Sequence, residues 1–540
     1  MRKKVWKALN VLTGVMLLIP IFAGYASSAS PTPQRGGILK AAGGGEPPML
    51  NTMVDYSVRV VTKGAWVFNG LVMIDPTQEE ISVEKVVSSL AEKWEISSDQ
   101  KVYTFHLRRG VKFHDGQPFT AKDAKYSLDF LADPKRSAMA PLVEMMERVE
   151  VVDNHTVKVH LKYPHVPFLL YLCYPYCIML PAHLSGVSPK SPDFLVGTGP
   201  FKFKKRIPGK VWIYERNPDY FIKGLPYLDG VESYIMTTPT AVDAFIGGRL
   251  DMAVDLRYDL GDKALIDKIR KNVPEAIIKL KPINVLRGVI FNVAGLKGRK
   301  GPWQDVRVRR AMAMVTDFPG TIMAGQGSIE LGVSSGIVAP YVPTGLPWKE
   351  AEKILGIDKP MDVRVKEAKR LMKEAGYPDG FKGEVISRET GHYWKSAEYM
   401  TEGWRKSLNI QLNFRILEPA IIFPRRDAGD FDLCLDPALG TFGGSPEETL
   451  NRFLSTTISN HGQWSNAEYD RLYSQLIRET DSGRRAEVSA KMQRIFLEEV
   501  PFLIYASPVV GTAHRPTLHG HVIQTGHTGW ACMDRMWLEK

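Results

Sequence analysis

The stretch from Leu90 to Leu131 constrains the fold more than any other part of this 540-residue chain. Apolar side chains alternate with polar ones from Tyr103 to Leu107, which is typical of a strand with one buried face. Glycine-containing turns on both sides of residues 111–113 predict a second, short strand. Thr120–Asp123 then has the spacing of a capping box, which predicts the start of a helix.

This stretch also resembles the core motif of the family 5 extracellular solute-binding proteins, the peptide/nickel-type receptors of ABC importers. These proteins usually read LAxxWxxSxDxxxYTFxLRxGVKFxDGxPFTAxDVxxSL, and nearly every fixed position is matched, with Ala124 in place of the usual valine. VGTGPF at 196–201 and AVDAFIGGRLDM at 241–252 resemble further landmarks of the family. The resemblance extends from Arg35 to about Tyr505, so it covers most of the chain.

The N-terminus has the pattern of an export signal. Four basic residues within the first seven precede an apolar run from Val11 to Ala23, and small residues offer cleavage after Ala26 or Ala29. The run is short and interrupted by proline, which disfavours a membrane span. We therefore predict a cleavable signal peptide and a periplasmic protein, with an uncleaved N-terminal anchor as the alternative. No cysteine lies near the cleavage point, which disfavours a lipid anchor.

Composition is that of a globular protein, with 44% hydrophobic and 24% charged residues. About 510 residues after the leader exceed what one core usually supports, so two or three lobes are expected. The formal charge is +11, and the leader carries four of the positive charges, leaving +7 on the remainder. This excess is spread thinly, whereas nucleic-acid binding calls for a concentrated basic stripe. We expect no nucleic-acid partner.

The resemblance implies an α/β, periplasmic binding protein-like fold with two α/β lobes plus an extra domain around a hinged ligand cleft. The predicted division is a signal peptide at 1–29, lobe I in two parts at 36–75 and 197–285, lobe II (the extra domain) at 76–196, lobe III at 286–500, and a return to lobe I at 501–540. Hinge closure of such lobes around a ligand is a common conformational transition.

Within the predicted lobe III, a strand at 383–388, a helix at 396–407 and a strand at 410–417 form a β-α-β unit. The two strands of such a unit are expected to be parallel. Earlier in the lobe, Asp305 is predicted to be the N-cap of a helix whose buried face includes Val308 and Met312.

Peptide-binding members of the family carry an aspartate that pairs with the α-amino group of the ligand. An ungapped match of Phe431–Leu433 to the family pattern places Thr441 at that position. This favours a ligand without an α-amino group, such as a carboxylate, an oligosaccharide or another polar metabolite. Asp436 lies five residues earlier, and a gap could bring it into register, so a peptide receptor with a shifted anchor remains open.

The other candidate ligand-binding residues also follow from the resemblance. His392, Tyr393 and Trp394 are expected on a loop after a strand, where aromatic rings can stack on a flat ligand. Arg287 could bind a carboxylate through two hydrogen bonds, with a surface charge as the alternative. Tyr505 and Trp394 have interlobe packing as their alternative role. The remaining candidates are Val54, Asp55, Tyr56, Ser57, Gly440 and Phe442.

The cysteines and histidines give no firm site. An exported protein can form disulfides, but the spacing of Cys173 and Cys177 assigns no bridge, and Cys434 is expected to be a buried thiol. The C-terminal group His519, His521, His527 and Cys532 matches no tight ligand spacing, so no metal site is predicted.

The sequence thus predicts a periplasmic solute-binding protein that delivers a small ligand, peptide-like or a non-peptide polar metabolite, to the membrane permease of an ABC transporter. We expect a monomer with no catalytic activity and no cofactor. One alternative is a receptor for a sensor or chemoreceptor. Another is a secreted glycoside hydrolase, for which Glu46, Asp55, Asp436 and the Glu447–Glu448 pair could supply two carboxylates. No HExxH or P-loop motif is present.

Overall fold

The computed structural model of the protein describes residues 32–540 apart from 56, 255–259, 284, 340, 341, 343, 390, 436–438, 441–444 and 525–532. The predicted signal peptide at 1–29 therefore lies outside the described residues. Residues 34–540 form one compact unit in which helices and several β-sheets are mixed, as the predicted α/β class requires.

The strands in chain order are β1 (Ile38–Ala42), β2 (Val72–Ile74), β3 (Val86–Ser88), β4 (Ala91–Ile96), β5 (Val102–Leu107), β6 (Met146–Asp153), β7 (Thr156–Leu161), β8 (Phe201–Ile207), β9 (Val211–Arg216), β10 (Gly230–Tyr234), β11 (Ile277–Pro282), β12 (Val285–Phe291), β13 (Gly332–Val333), β14 (Lys382–Arg388), β15 (Gln411–Leu417), β16 (Leu433–Leu435), β17 (Leu439–Gly440), β18 (Phe502–His514), β19 (Leu518–His519) and β20 (Trp537–Leu538). The α-helices are α1 (Val58–Gly64), α2 (Ala121–Ala132), α3 (Phe168–Leu172), α4 (Thr238–Ile246), α5 (Lys263–Asn272), α6 (Val306–Met314), α7 (Phe318–Gln326), α8 (Trp348–Leu355), α9 (Met361–Glu374), α10 (Gly391–Leu408), α11 (Pro419–Asp427), α12 (Pro446–Asn451), α13 (Ala467–Leu476) and α14 (Ser482–Glu499).

The antiparallel sheet β4–β5–β7–β6 contains the strand that the sequence predicts most clearly. Tyr103, Phe105 and Leu107 of β5 are all buried, because they share one face of the strand. The predicted capping box is present at the start of α2, where the Asp123 carboxylate accepts hydrogen bonds from the Thr120 amide at 2.9 Å and from its hydroxyl at 2.8 Å.

The short strand predicted at 111–113 is wrong. Lys112 makes only an isolated bridge to Pro118, which is held by the hydrogen bond from the Phe113 amide to the Gln117 carbonyl across a tight turn. The segments on the two sides of this turn are separated by only a few residues, which leaves too little chain for further strand pairing between them. The turn predicted at Gly116 is present, with a φ of 90° that glycine adopts readily.

The second sheet brings together distant parts of the chain in the order β1–β10–β9–β8. β1 and β10 are parallel, and the other pairs are antiparallel. Trp66, which follows α1, packs against this sheet, with its ring centroid 5.7 Å from that of Phe201. Lys63 is fully buried, and its ammonium group donates to the Gly43 carbonyl and the Ser233 hydroxyl at 2.8 Å.

The largest sheet has the order β11–β18–β12–β16–β14–β15, with β13 and β17 paired at its side. β14 is parallel to β15 and to β16, which confirms the parallel β-α-β unit predicted from the sequence. β18 is antiparallel to β11 and β12, so the last long strand of the chain crosses the middle of the sheet. Gly288 allows this approach, because a side chain there would collide with the carbonyl of Leu503.

Helix α10 packs on the parallel strands β14, β15 and β16, and it also contacts α7 and α9. α10 buries a stripe formed by Tyr393, Ser396, Ala397, Met400 and Trp404, which recur at helical spacing. The Trp404 indole donates to the Met312 carbonyl at 3.0 Å, and this bond joins α10 to α6. The stripe fixes the rotation of α10 and hence the direction in which its first residues point.

Asp305 caps α6 as predicted, since its carboxylate accepts the Arg307 amide at 2.8 Å. We expect Asp305→Ala to lower the free energy of unfolding by about 1 kcal/mol, because the cap is lost. Asp305→Asn keeps a capping oxygen and should cost much less. Urea unfolding of both variants checks this, and an equal loss in the two would show that the cap is not the cause.

None of the helices in the described part of the chain has the length and apolar content that crossing a bilayer requires. The boundaries of the three predicted lobes stay a prediction.

Candidate ligand-binding site

The carboxyl ends of β14 and β16 lie side by side, because the strands are parallel with Ser387 opposite Leu435. β14 ends at Arg388, and α10 begins three residues later. β12 runs antiparallel to β16, so its first residues, including Arg287, reach the same edge. Ligands of open α/β sheets bind outside the carboxyl ends of the strands. We call the group Arg287, Arg388, His392 and Tyr393 the carboxyl edge.

Arg287 is buried, with 7% of its surface exposed. The strand pairing between β12 and β18 is irregular between Arg287 and Gly288, which turns the side chain out of the regular register. Its guanidinium carbon lies 5.5 Å from the centroid of the Tyr393 ring. Its Nε atom is buried and has no hydrogen-bond partner among the described residues. The alternative that Arg287 is a surface charge is therefore wrong.

Arg388 approaches the same ring. Its guanidinium carbon lies 4.2 Å from the Tyr393 centroid and 5.7 Å from that of Phe423. Tyr393 is thus within cation–π range of two arginines, and these contacts hold both guanidinium groups in place.

His392 packs against the same tyrosine, with its ring centroid 4.2 Å from that of Tyr393. Burial, and to a smaller extent the charges of Arg287 and Arg388, lower the pKa of His392 to about 2. The imidazole is therefore neutral at physiological pH, so it can donate from one nitrogen and accept at the other.

Tyr505 is buried in β18, in the core that also contains Tyr393. Burial raises the pKa of its phenol, while the charge of Arg287 opposes that rise. The neutral hydroxyl can serve as a polar group at the back of the carboxyl edge. Trp394 is half-buried, and the Lys395 ammonium lies 5.8 Å from the centroid of its ring.

The early loop with Val54, Asp55 and Ser57 is held by local hydrogen bonds. The amides of Val54 and Asp55 bond to the Asn51 carbonyl, and the Asp55 carboxylate accepts the Ser57 amide at 2.8 Å. No hydrogen bond, ion pair or ring contact between described residues joins this loop to the carboxyl edge.

Several candidates lie outside the described residues, namely Tyr56, Asp436, Thr441 and Phe442. Gly440 belongs to β17, where it pairs with Val285 two positions before Arg287. The question of an amino-group anchor at Asp436 or Thr441 therefore stays open.

The expectation that His392, Tyr393 and Trp394 occupy a loop is wrong. They form the first turn of α10, which begins at Gly391, five residues earlier than predicted. The helix extends because Tyr393 continues the buried stripe of Ala397, Met400 and Trp404 at helical spacing. The helix positions these side chains more rigidly than a loop would.

Arg388 and Phe423 were not singled out by sequence reasoning. The sequence did indicate Arg388, because it is the last residue of the strand predicted at 383–388. Ligands of open α/β sheets bind outside the carboxyl ends of the strands. Phe423 lies in α11, which follows β15, and its position depends on packing that no local pattern indicates.

The histidines and cysteines considered in the sequence analysis have other surroundings in the structure. Among the described residues no group of three or more His, Cys, Asp or Glu side chains could hold a metal ion. His519 stacks on Trp537 at 4.2 Å and bonds to Glu539, while His527 and Cys532 lie outside the described residues. Cys434 is buried as predicted, and Cys173 and Cys177 are buried free thiols.

The carboxylates considered for a hydrolase mostly have structural partners. Glu46 accepts from the Gly209 amide at 2.8 Å and the Trp212 indole at 3.1 Å. Glu447 is fully buried and pairs with Arg485, and Glu448 accepts the Tyr174 hydroxyl at 2.8 Å. These carboxylates hold the fold together.

A separate cavity lies near the C-terminus, lined by residues that include Asn69, Tyr220 and Asp534. Burial raises the pKa of Asp534 to about 6, and its carboxylate accepts the Tyr220 hydroxyl at 3.2 Å. This cavity shares no lining residue with the carboxyl edge, which has the charges and rings that a ligand site needs.

Comparison with known proteins decides the family. Residues 85–461 match the model of the bacterial extracellular solute-binding proteins, family 5. This chain belongs to that family. Di/tripeptide-binding protein 2 of Pseudomonas aeruginosa is 29% identical over 475 residues, covering 81% of this chain and 84% of the relative. The probable deoxycholate-binding periplasmic protein YgiS of Escherichia coli is 27% identical over 470 residues, covering 82% and 83%.

Solved structures agree on the fold. The ABC transporter substrate-binding protein CtaP of Listeria monocytogenes superposes with a TM-score of 0.79 at 22% identity, covering 94% of this chain and 100% of that one. The protein AgaA with agropinic acid, from A. tumefaciens R10, gives 0.74 at 24% identity, covering 93% and 99%. The periplasmic binding protein-like fold and the ligand-receptor role of this family 5 protein, both predicted from the sequence, are confirmed.

Proposed function

We propose that this family 5 protein works in the periplasm as the receptor of an ABC importer, capturing a small polar ligand at the carboxyl edge and presenting it to the membrane permease. It is exported through its N-terminal signal peptide, acts as a monomer and changes no covalent bond of its ligand. The observation that carries the proposal is the family match over residues 85–461, together with a buried Arg287 whose Nε atom has no hydrogen-bond partner among the described residues, at the edge where such sheets bind ligands.

The ligands named for the relatives differ in class, since they include di- and tripeptides, deoxycholate and agropinic acid. Membership of the family therefore leaves the ligand of this chain open, and the residues of the site must decide it. The candidates at the edge are Arg287, Arg388, His392, Tyr393 and Tyr505.

Capture by closure requires the segments flanking the cleft to meet. Tyr174 bonds to Glu448, and the Arg478 guanidinium carbon lies 5.6 Å from the ring centroid of Tyr163. These contacts join a segment of the predicted lobe II to one of the predicted lobe III. We infer that they stabilise the closed form, which a ligand favours through its higher affinity for that form.

The test is a thermal-shift screen of the protein purified after expression of the full chain, against di- and oligopeptides, oligosaccharides, carboxylates and Ni²⁺. We expect one class to raise the melting temperature, because a ligand that binds only the native state stabilises it by mass action. Mass spectrometry of the released compound should show it unchanged. A converted compound would indicate an enzyme, and no stabilisation by any class would contradict the receptor proposal.

A further inference from the structure

We propose that a contact away from the carboxyl edge holds the predicted lobes II and III together in the unliganded protein, so that ligand entry requires this contact to open. We call the contact the clasp. It consists of Tyr163, His165, Tyr171 and Tyr174 on one side and of Glu448 and Arg478 on the other. This inference rests on the proposed receptor function and adds to it the contact that sets the balance between open and closed forms.

The first argument is that the rings of the clasp are buried as a core would be. His165, Tyr171 and Tyr174 have 3%, 5% and 1% of their surfaces exposed. The His165 ring lies 5.3 Å from that of Tyr171 and 6.3 Å from that of Tyr163, and Tyr171 lies 5.5 Å from Tyr174. Separating the lobes would expose apolar ring surface to water, which the hydrophobic effect opposes.

These rings face the predicted lobe III. Tyr163 packs against the core that contains Tyr171 and also against the core of the predicted lobe III that contains Tyr473. Burial is the main cause that raises the pKa of Tyr171, and groups of the predicted lobe III, among them Glu448 and Arg485, are close enough to act on it as well. The burial of the clasp therefore depends on both lobes.

The second argument is that directional bonds cross the contact. The Tyr174 hydroxyl donates to the Glu448 carboxylate at 2.8 Å, and hydrogen bonds to a charged acceptor are stronger than neutral ones. The Arg478 guanidinium carbon lies 5.6 Å from the centroid of the Tyr163 ring, within cation–π range. Both contacts are lost when the lobes separate, so both favour the closed form.

The third argument is that the clasp is separate from the group expected to touch the ligand. Between described residues, the hydrogen bonds, ion pairs and ring contacts of the clasp include none to Arg287, Arg388, His392 or Tyr393. A substitution in the clasp therefore changes the population of the closed form and leaves these groups in place. Because apparent affinity scales with the population of the binding-competent form, the clasp should act on binding from a distance.

The experiment measures this population in the unliganded protein, expressed as the full chain. Single-molecule fluorescence transfer reports the separation between dyes on Lys135→Cys, in the predicted lobe II, and Lys491→Cys, on α14, both of which are exposed positions. We expect the closed form to predominate in this background. Tyr174→Phe/Arg478→Gln should raise the open-to-closed ratio at least about 30-fold, and Tyr174→Phe alone about tenfold.

Matched substitutions outside the clasp serve as the control. Tyr126→Phe/Arg471→Gln changes the same residue types in the predicted lobes II and III, at a tyrosine that contacts Arg136 and an arginine that pairs with Glu468. This variant should leave the ratio unchanged. Circular dichroism of each variant under the same conditions shows whether it is folded, and the milder Tyr174→Phe keeps the test valid if the double variant is not.

Three results would overturn the inference: a closed form that persists in every folded clasp variant, an unliganded protein that is already mostly open, or an equal shift in the control. The first would mean that the clasp is permanent packing. Each of them leaves the receptor role standing, because that role is judged by stabilisation in the thermal-shift screen. Only the absence of binding by every class in that screen would count against the receptor role itself.

Discussion

Replacing Arg485 with methionine should lower the free energy of unfolding by about 3–5 kcal/mol, one of the largest effects available to a single substitution in this chain. The reason is Glu447, which is fully buried in α12 and has Arg485 of α14 as its cationic partner. Removing the arginine leaves a carboxylate in the interior without a counter-charge. Urea denaturation followed by circular dichroism measures the loss.

The same substitution breaks other bonds. The Arg485 guanidinium also donates to the carbonyls of Leu476 and Glu479 at 3.2 Å, where α13 ends and the turn to α14 follows. One side chain therefore ties three helices together. These contacts adjoin the segment that carries Tyr171, so the loss should also weaken the packing of that segment.

Two variants separate the buried charge from other causes. Arg484→Met changes the exposed neighbour on the same helix and should alter the unfolding free energy by less than about 0.5 kcal/mol. The double variant Glu447→Gln/Arg485→Met removes both charges and should recover most of the stability. If the double variant is no more stable than Arg485→Met alone, the unpaired carboxylate is not the cause.

Local sequence patterns predicted the regular elements well. The alternation in β5, the Asp305 cap and the parallel pair β14 and β15 depend on residues close to one another in sequence, so the pattern contains the information. The start of α10 was misplaced, because a short polar stretch after β14 reads like a loop until the stripe from Tyr393 to Trp404 is followed to its beginning.

The candidate site was predictable only in part. Arg287 could be placed near the ligand by resemblance, but its burial depends on β18, which lies more than 200 residues away in sequence. Arg388 and Phe423 approach Tyr393 through the packing of β14, α10 and α11. No pattern of neighbouring residues predicts such contacts between side chains on different helices and strands, so they could be identified only from the structure.

Acid sensitivity should be the second large effect, because several histidines are buried in their neutral form. Burial is the main cause that lowers the pKa of each of them: His114, His461 and His514 to about 4, His165 to about 3 and His392 to about 2. In the unfolded chain a histidine has a pKa of about 6.5. Below that pH the unfolded chain binds protons that the folded chain does not.

The unfolding free energy should therefore fall as the pH drops from about 6.5 towards the pKa values of the folded protein, and the stabilisation is complete above about 6.5. His165 alone should account for about 2 kcal/mol between pH 8 and pH 5. Its ring lies 5.3 Å from that of Tyr171, neither nitrogen has a hydrogen-bond partner among the described residues, and the charge of Arg485 opposes protonation further.

His165→Phe isolates this contribution. The substitution breaks no hydrogen bond to a described residue, and any cost of fitting the larger ring is the same at both pH values. The stability of the variant relative to wild type should therefore rise by about 2 kcal/mol between pH 8 and pH 5, measured by urea unfolding at each pH. A difference between the two proteins that does not change with pH would mean that His165 takes up its proton in the folded state as readily as in the unfolded chain.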